Sequence, residues 1–147
     1  MAFVVTMMLA DAAQAVDNKL YILGGGWSVI GPEPQPSAIA IHVKVPWDQT
    51  NRQHMMLLEL LDLDGEPILI ETPVGRQALR VENNFEVGRP PGIKPGSPIE
   101  ISIALNFGPI PLPPDGSFVW RLSINDETHE HWALPFVTRP LARRSSA

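Results

Sequence analysis

Residues 9–30 read LADAAQAVDNKLYILGGGWSVI. Two apolar runs flank Asp17-Asn18, and both of these residues tolerate the positive φ that a tight turn between antiparallel strands demands. The second run meets Gly24, Gly25 and Gly26 before Trp27. Glycines weaken a strand unless the backbone bulges or something packs closely against it. A bulge is therefore expected there, with Trp27 packed over it. The prediction is one long hairpin, residues 3–16 against residues 19–30, apolar on both faces for much of its length.

Outward from this pair, period-two alternation recurs and helical periodicity is nearly absent. Ile39, Ile41, Val43 and Val45 fall on one face of a strand, and Ala40, His42 and Lys44 on the other, which predicts one wet face. Residues 46–52 break the alternation and suit a single helical turn. Strands follow over residues 53–62 and 78–87, with Asp64-Gly65 as a turn and Pro67 demoting residues 68–71 to an edge. Ile99, Ile101, Ile103, Leu105 and Phe107 mark another strand. Residues 117–138 form a closing hairpin in which a three-residue loop, Asn125-Asp126-Glu127, places Trp120 opposite Trp132 inside. The whole reads as an all-β, single-domain antiparallel β-sandwich, Ig-like or jelly-roll-like, of eight to nine strands with little helix. The domain spans residues 1–140, and residues 141–147, with Arg143 and Arg144, form a short basic flexible tail.

Composition narrows the functional classes. The chain has 147 residues, 44% of them apolar, enough for one core without staples. It has no cysteine, which removes disulfides, thiolate metal sites and a thiol nucleophile together, and suits a reducing, cytoplasmic compartment. A net charge of −5 with 11 thinly spread Lys and Arg gives no nucleic-acid footprint. No run approaches the ~20 apolar residues of a membrane span. Residues 3–15 mimic a secretion signal ending in Ala13-Gln14-Ala15. Without a basic residue in front, and with Asp11 just before the cleavage motif, they read better as a strand. The 16 prolines gather in loops near residues 31–36, 88–98 and 108–116.

Several groupings could carry chemistry. In an extended strand His129 and His131 point the same way, and Glu127 shares their side, the beginnings of a metal site. Their parity is opposite to Trp132 and Phe136, so a solvated face is the plainer reading. Asp62, Asp64, Gly65 and Glu71 match part of a calcium loop, but Leu60 stands where the first ligand belongs, and a hairpin turn explains the same residues. The three glycines lack the helix and lysine of a phosphate cradle. Trp47, after Pro46, is the best candidate for an exposed ring. With Asp48, Asn51 and Arg52 it could stack on a sugar or other ligand, or fold down as a lid on the core.

Several strings together resemble a family of short bacterial proteins catalogued only as a domain of unknown function. They are Leu9-Ala-Asp-Ala-Ala-Gln14, residues 19–27, residues 46–54, the Asp62 turn and residues 85–92. The resemblance implies a compact β-sandwich and a cytoplasmic, bacterial origin, and brings no site residues. The residues themselves point first to a non-catalytic module without cofactor, working through a protein partner or self-association. That reading rests on strands apolar on both sides, which need cover from loops or from another chain. A ligand-binding sandwich at Trp47 and a metal-dependent enzyme at His129 and His131 are the alternatives.

Overall fold

A computed structural model describes residues 2–142; Arg143 and Arg144 of the expected tail lie outside the described residues. In chain order the strands are β1 (Val4–Ala10), β2 (Ala12–Val16), β3 (Lys19–Leu23), β4 (Val29–Ile30), β5 (Ser37–Val45), β6 (Gln53–Leu61), β7 (Leu69–Thr72), β8 (Gly75–Ala78), β9 (Arg80–Glu86), β10 (Ile99–Phe107), β11 (Ser117–Ile124) and β12 (Ala133–Thr138). A 3-10 turn at Trp47–Gln49 is the one helical element among the described residues. The all-β reading holds, with twelve strands among the described residues where eight or nine were expected.

Two sheets enclose the core. One has the order β1-β5-β10 and the other β4-β12-β11-β6-β9. All ladders are antiparallel except the two-residue pairing of β4 with β12, which is parallel. The inward parity of β5 is the predicted one: Ile39, Ile41, Val43 and Val45 are fully buried. Met56, Leu58 and Leu60 of β6 and Trp120, Leu122 and Ile124 of β11 belong to the same core. Each such side chain contributes about 1.5–3 kcal/mol by leaving water. Phe107 of β10 stacks on Trp120, with ring centroids 5.2 Å apart.

The opening hairpin is shorter than predicted, because the chain leaves the first sheet at Asp11. β1 pairs with β5, whereas β2 and β3 form a ribbon of their own. At the crossing, the Asp11 N–H donates to the Leu23 and Gly24 carbonyls, and the Gly26 N–H donates to the Leu9 carbonyl at 2.7 Å. Gly24 sits at φ +61°, and a Cβ there would fall on the Asp11 carboxylate. The glycines are therefore a pivot at the end of β3 and not a bulge within it. Trp27 lies away from them, edge-on to Phe136 at 6.2 Å.

The ribbon folds back over the outer face of the first sheet. Ala10, Ala13, Ala38 and Ala40 are buried there in a second small core, with Met8, Leu20 and Ala104 packed around it. The outer face of β5 is thus wet only toward Lys44; its Ala38 end is covered by the chain's own hairpin. Two side-chain amides clasp the ribbon. At its tip, Asn18 Nδ2 donates to the Glu100 carbonyl at 2.7 Å and Asn18 Oδ1 accepts from the Ser102 N–H at 2.9 Å. At its base, the Asn106 amide donates to the Ala13 carbonyl at 2.8 Å and accepts from the Ala13 N–H at 3.2 Å. Asp17 and Asn18 have φ of 50° and 57°, as the predicted turn requires.

The closing hairpin is displaced from its expected register by two residues. Trp120 faces Leu134, and Trp132 lies beside Leu122, whose N–H bonds the Trp132 carbonyl at 2.8 Å. A slip of one residue would turn every side chain to the other face, but a slip of two preserves parity. Phe118, Trp120, Leu122, Ile124, Trp132 and Phe136 are all buried as predicted. Among the described residues no helix is long and apolar enough to cross a membrane.

Glycine at position 18 keeps the positive φ while deleting the amide. Asn18→Gly is expected to lower the free energy of unfolding by about 1–2 kcal/mol, the worth of two net hydrogen bonds. Asp17→Gly, at the neighbouring turn position, is expected to change it by less than about 0.5 kcal/mol. Urea titration of the two variants checks the difference.

Candidate functional site

The Trp47 loop is built on the exit from β5. Pro46 is buried, and residues 47–49 make the 3-10 turn, after which Asn51 adopts φ +59° and donates its N–H to the Val87 carbonyl at 2.8 Å. The Trp47 ring is half-buried against the main core. Arg89, from the second proline loop, lies over that ring with its guanidinium carbon 3.9 Å from the centroid. Its Nε donates to Thr50 Oγ1 at 2.6 Å and its Nη2 to the Trp47 carbonyl at 2.8 Å. The Thr50 hydroxyl donates in turn to the same carbonyl. Asp48, Asn51 and Arg52 are exposed around this clamp. The four residues expected at a ligand site are thus neighbours in space, but the ring already carries a cation. The geometry fastens the 88–98 loop more than it offers a stacking platform.

Beneath the clamp His54 is 3% exposed. Its Nε2 contacts the Gln49 carbonyl at 2.8 Å, and its Nδ1 contacts Asn125 Nδ2 at 2.9 Å. Asn125 Oδ1 accepts from the Met55 N–H at 3.0 Å, so the amide orientation is set and Nδ2 must donate to the imidazole. Nδ1 is therefore the acceptor and Nε2 carries the proton. Phe3 packs edge-on against the same ring at 5.0 Å. One imidazole thereby joins the start of β1, the Trp47 turn and the β11–β12 loop. Nothing in the sequence around His54 marks it for this, because both polar partners come from loops.

His129 and His131 are not on a strand. β11 ends at Ile124 and β12 begins at Ala133, and the residues between form an irregular loop. His129 Nε2 lies 3.4 Å from Glu127 Oε1, and the His129 ring sits edge-on to Trp132 at 4.5 Å. Among the described residues no group of three or more His, Asp or Glu converges closely enough to hold a metal ion. Glu127, His129 and His131 do not assemble the metal site the sequence suggested. Asp62 is likewise committed to its own turn, its Oδ1 accepting from the Asp64 and Glu66 N–H groups at 2.8 and 3.0 Å. A cavity of about 30 Å³ beneath the first proline loop, lined by Trp27, Trp120 and Phe136, has room for a water molecule or two.

The hairpin's outer face has a different character. Ala12, Gln14 and Val16 of β2 lie directly opposite Leu23, Tyr21 and Lys19 of β3. Val16, Tyr21 and Leu23 are 47%, 56% and 71% exposed. These apolar side chains stand on an arm whose other face packs into the second core through Ala13 and Leu20. The two-sided apolar pattern is visible in the sequence, but parity alone does not say which face the body covers, so no site residue is legible there.

His54→Leu is expected to destabilise the fold by about 1–3 kcal/mol in urea titrations, since it removes the imidazole that joins the Gln49 carbonyl to the Asn125 amide. Arg89→Ala is expected to increase acrylamide quenching of the tryptophan emission. The increment should vanish in a Trp47→Phe background, which assigns it to the uncovered ring.

A family model described as a family of unknown function, DUF6941, matches residues 5–137. Comparisons with curated proteins and with solved structures return no match.

Proposed function

The chain belongs to that family of unknown function, and from this premise we propose that it is a non-catalytic β-sandwich that works by protein–protein contact, presenting the outer face of the β2–β3 hairpin. The observation that carries the reading is the exposure of Val16, Tyr21 and Leu23 side by side on one arm. Tyrosine is enriched among the side chains that carry binding energy, and apolar side chains grouped around it form a patch of the kind that marks an interaction site, whereas an isolated exposed leucine is ordinary. Three of the four buried polar residues support the same reading. Thr50 and His54 fasten the Trp47 turn, and Thr138 ties the third proline loop through Pro113 and Gly116. Each has its hydrogen-bonding capacity spent on structure. The setting in this reading is the bacterial cytoplasm, with the sandwich as an Ig-like scaffold for a protein partner or for a second copy.

The test compares two baits of the full chain in extract from the source organism. Wild-type protein is expected to retain specific proteins that Tyr21→Ser/Leu23→Ser loses at least about 10-fold, as removal of a tyrosine anchor and of the apolar side chain beside it implies. Val74→Ser, at a 79%-exposed position on the β7–β8 turn, serves as the control and is expected to retain them. Equal retention by all three baits, or no retention above bare matrix, counts against the proposal.

A further inference from the structure

We infer that two copies of this chain pair edge to edge through β9, antiparallel about a two-fold axis at Asn83, and so join their five-stranded sheets into one. β9 is the last strand of its sheet. Leu60 of β6 donates its N–H to the Leu79 carbonyl. Backbone groups turn to alternate sides along an antiparallel strand, so Val81, Asn83 and Phe85 also address β6. The N–H and C=O groups of Arg80, Glu82, Asn84 and Glu86 therefore point off the edge, and all four residues are exposed.

Charge selects the occupant. Across the outer face of the sheet, Arg121 of β11 lies opposite Glu59 of β6, and Glu59 lies opposite Arg80 of β9. The row alternates in sign and stops at the edge on a cation. With Asn83 opposite its own copy, the next residue in that row is the second copy's Glu86, and the two-fold repeats the match at the other end of the strand. Arg80 holds only Glu82 along its own strand, at 3.1 Å, which leaves guanidinium donors for a second carboxylate. On the core side Val81 meets Phe85, and both already belong to the main core cluster. A slide by one residue would set core-side residues against outer ones. A shift of the axis to Glu82 would put that residue against itself, and a shift to Asn84 would put Glu82 against Glu86. Like charges directly opposite destabilise a ladder. Charges on an edge strand ordinarily keep other strands away, and these admit their own copy in one register. Both β9 edges are used up, so the pair closes at two. β9 belongs to the sheet opposite the one that carries the ribbon, so the pairing is independent of what Tyr21 and Leu23 bind.

The chain has no cysteine, so a single substitution places one thiol in each copy of the full-length protein. Asn83→Cys is expected to form an intermolecular disulfide under mild oxidation, because residues directly opposite in a non-hydrogen-bonded antiparallel pair lie about 4.5 Å apart at Cα, within disulfide reach. Glu82→Cys sits two positions out of register with its own copy, beyond the ~7 Å limit for a disulfide, and is expected to link far more slowly. Light scattering on the unsubstituted chain should give the mass of a dimer. Glu86→Arg, at an exposed position, should weaken that association about 10-fold or more, since two opposite-charge pairs become two like-charge contacts. A mass that stays monomeric up to the highest soluble concentration overturns the inference. A dimer that is indifferent to Glu86→Arg, or in which Asn83→Cys links no faster than Glu82→Cys, also overturns it, because the copies then meet through another surface or register.

Discussion

The hairpin can lie on the first sheet only because Ala10, Ala13, Ala38 and Ala40 let two backbones approach with little more than methyl groups between them. Larger side chains at these positions would lift the ribbon beyond the reach of Asn18 and Asn106. Apolar contact and amide clasp are therefore one arrangement: the small residues set the distance, and the distance makes the hydrogen bonds possible. The placing of the arm follows from this. Ala13 and Leu20 on its inner face are packed, its turn is anchored to β10, and Tyr21 and Leu23 are left outside. The main core between the sheets supplies the bulk of the stabilisation, but it would be much the same without the ribbon.

The loops follow a second rule, in which polar side chains from distant parts of the chain hold each one down. Arg89 reaches back to Thr50 and Trp47, His54 ties Gln49 to Asn125, and Thr138 joins Pro113 to Gly116. Proline stiffens these connectors and removes backbone donors, so side chains carry the fastening that a ladder carries elsewhere. The result is a body in which Thr50, His54 and Thr138 are engaged by the loops they fasten, while the apolar groups of one arm are exposed. That contrast ties the local packing to a role in contact.

Much of the sandwich was legible because side-chain parity is a local property. Ile39 to Val45, Ile99 to Phe107 and Phe118 to Ile124 face inward as their alternation dictates. Long-range decisions were hidden. Asp11 ends β1 because its N–H meets carbonyls at Leu23 and Gly24, residues it reaches only after the turn at Asp17 has formed. The Trp120 partner was misplaced by two residues because the Asn125 to Trp132 segment includes an irregular stretch, and parity does not register a shift by a whole period. At the candidate sites, Trp47 was visible as an aromatic ring in a loop, but Arg89, 42 residues away, was not. His129 and His131 looked paired because the strand was assumed to run through them.

Asn18 also acts as a strand of a single residue. Its carboxamide offers the Glu100 carbonyl and the Ser102 N–H the same donor and acceptor that a neighbouring backbone would. β10 is the last strand of its sheet, and exposed last strands recruit further strands from other molecules. A side-chain amide laid across that border closes part of it without lengthening the sheet. The turn that folds the arm home thus also guards the body against growth into fibrils along that flank.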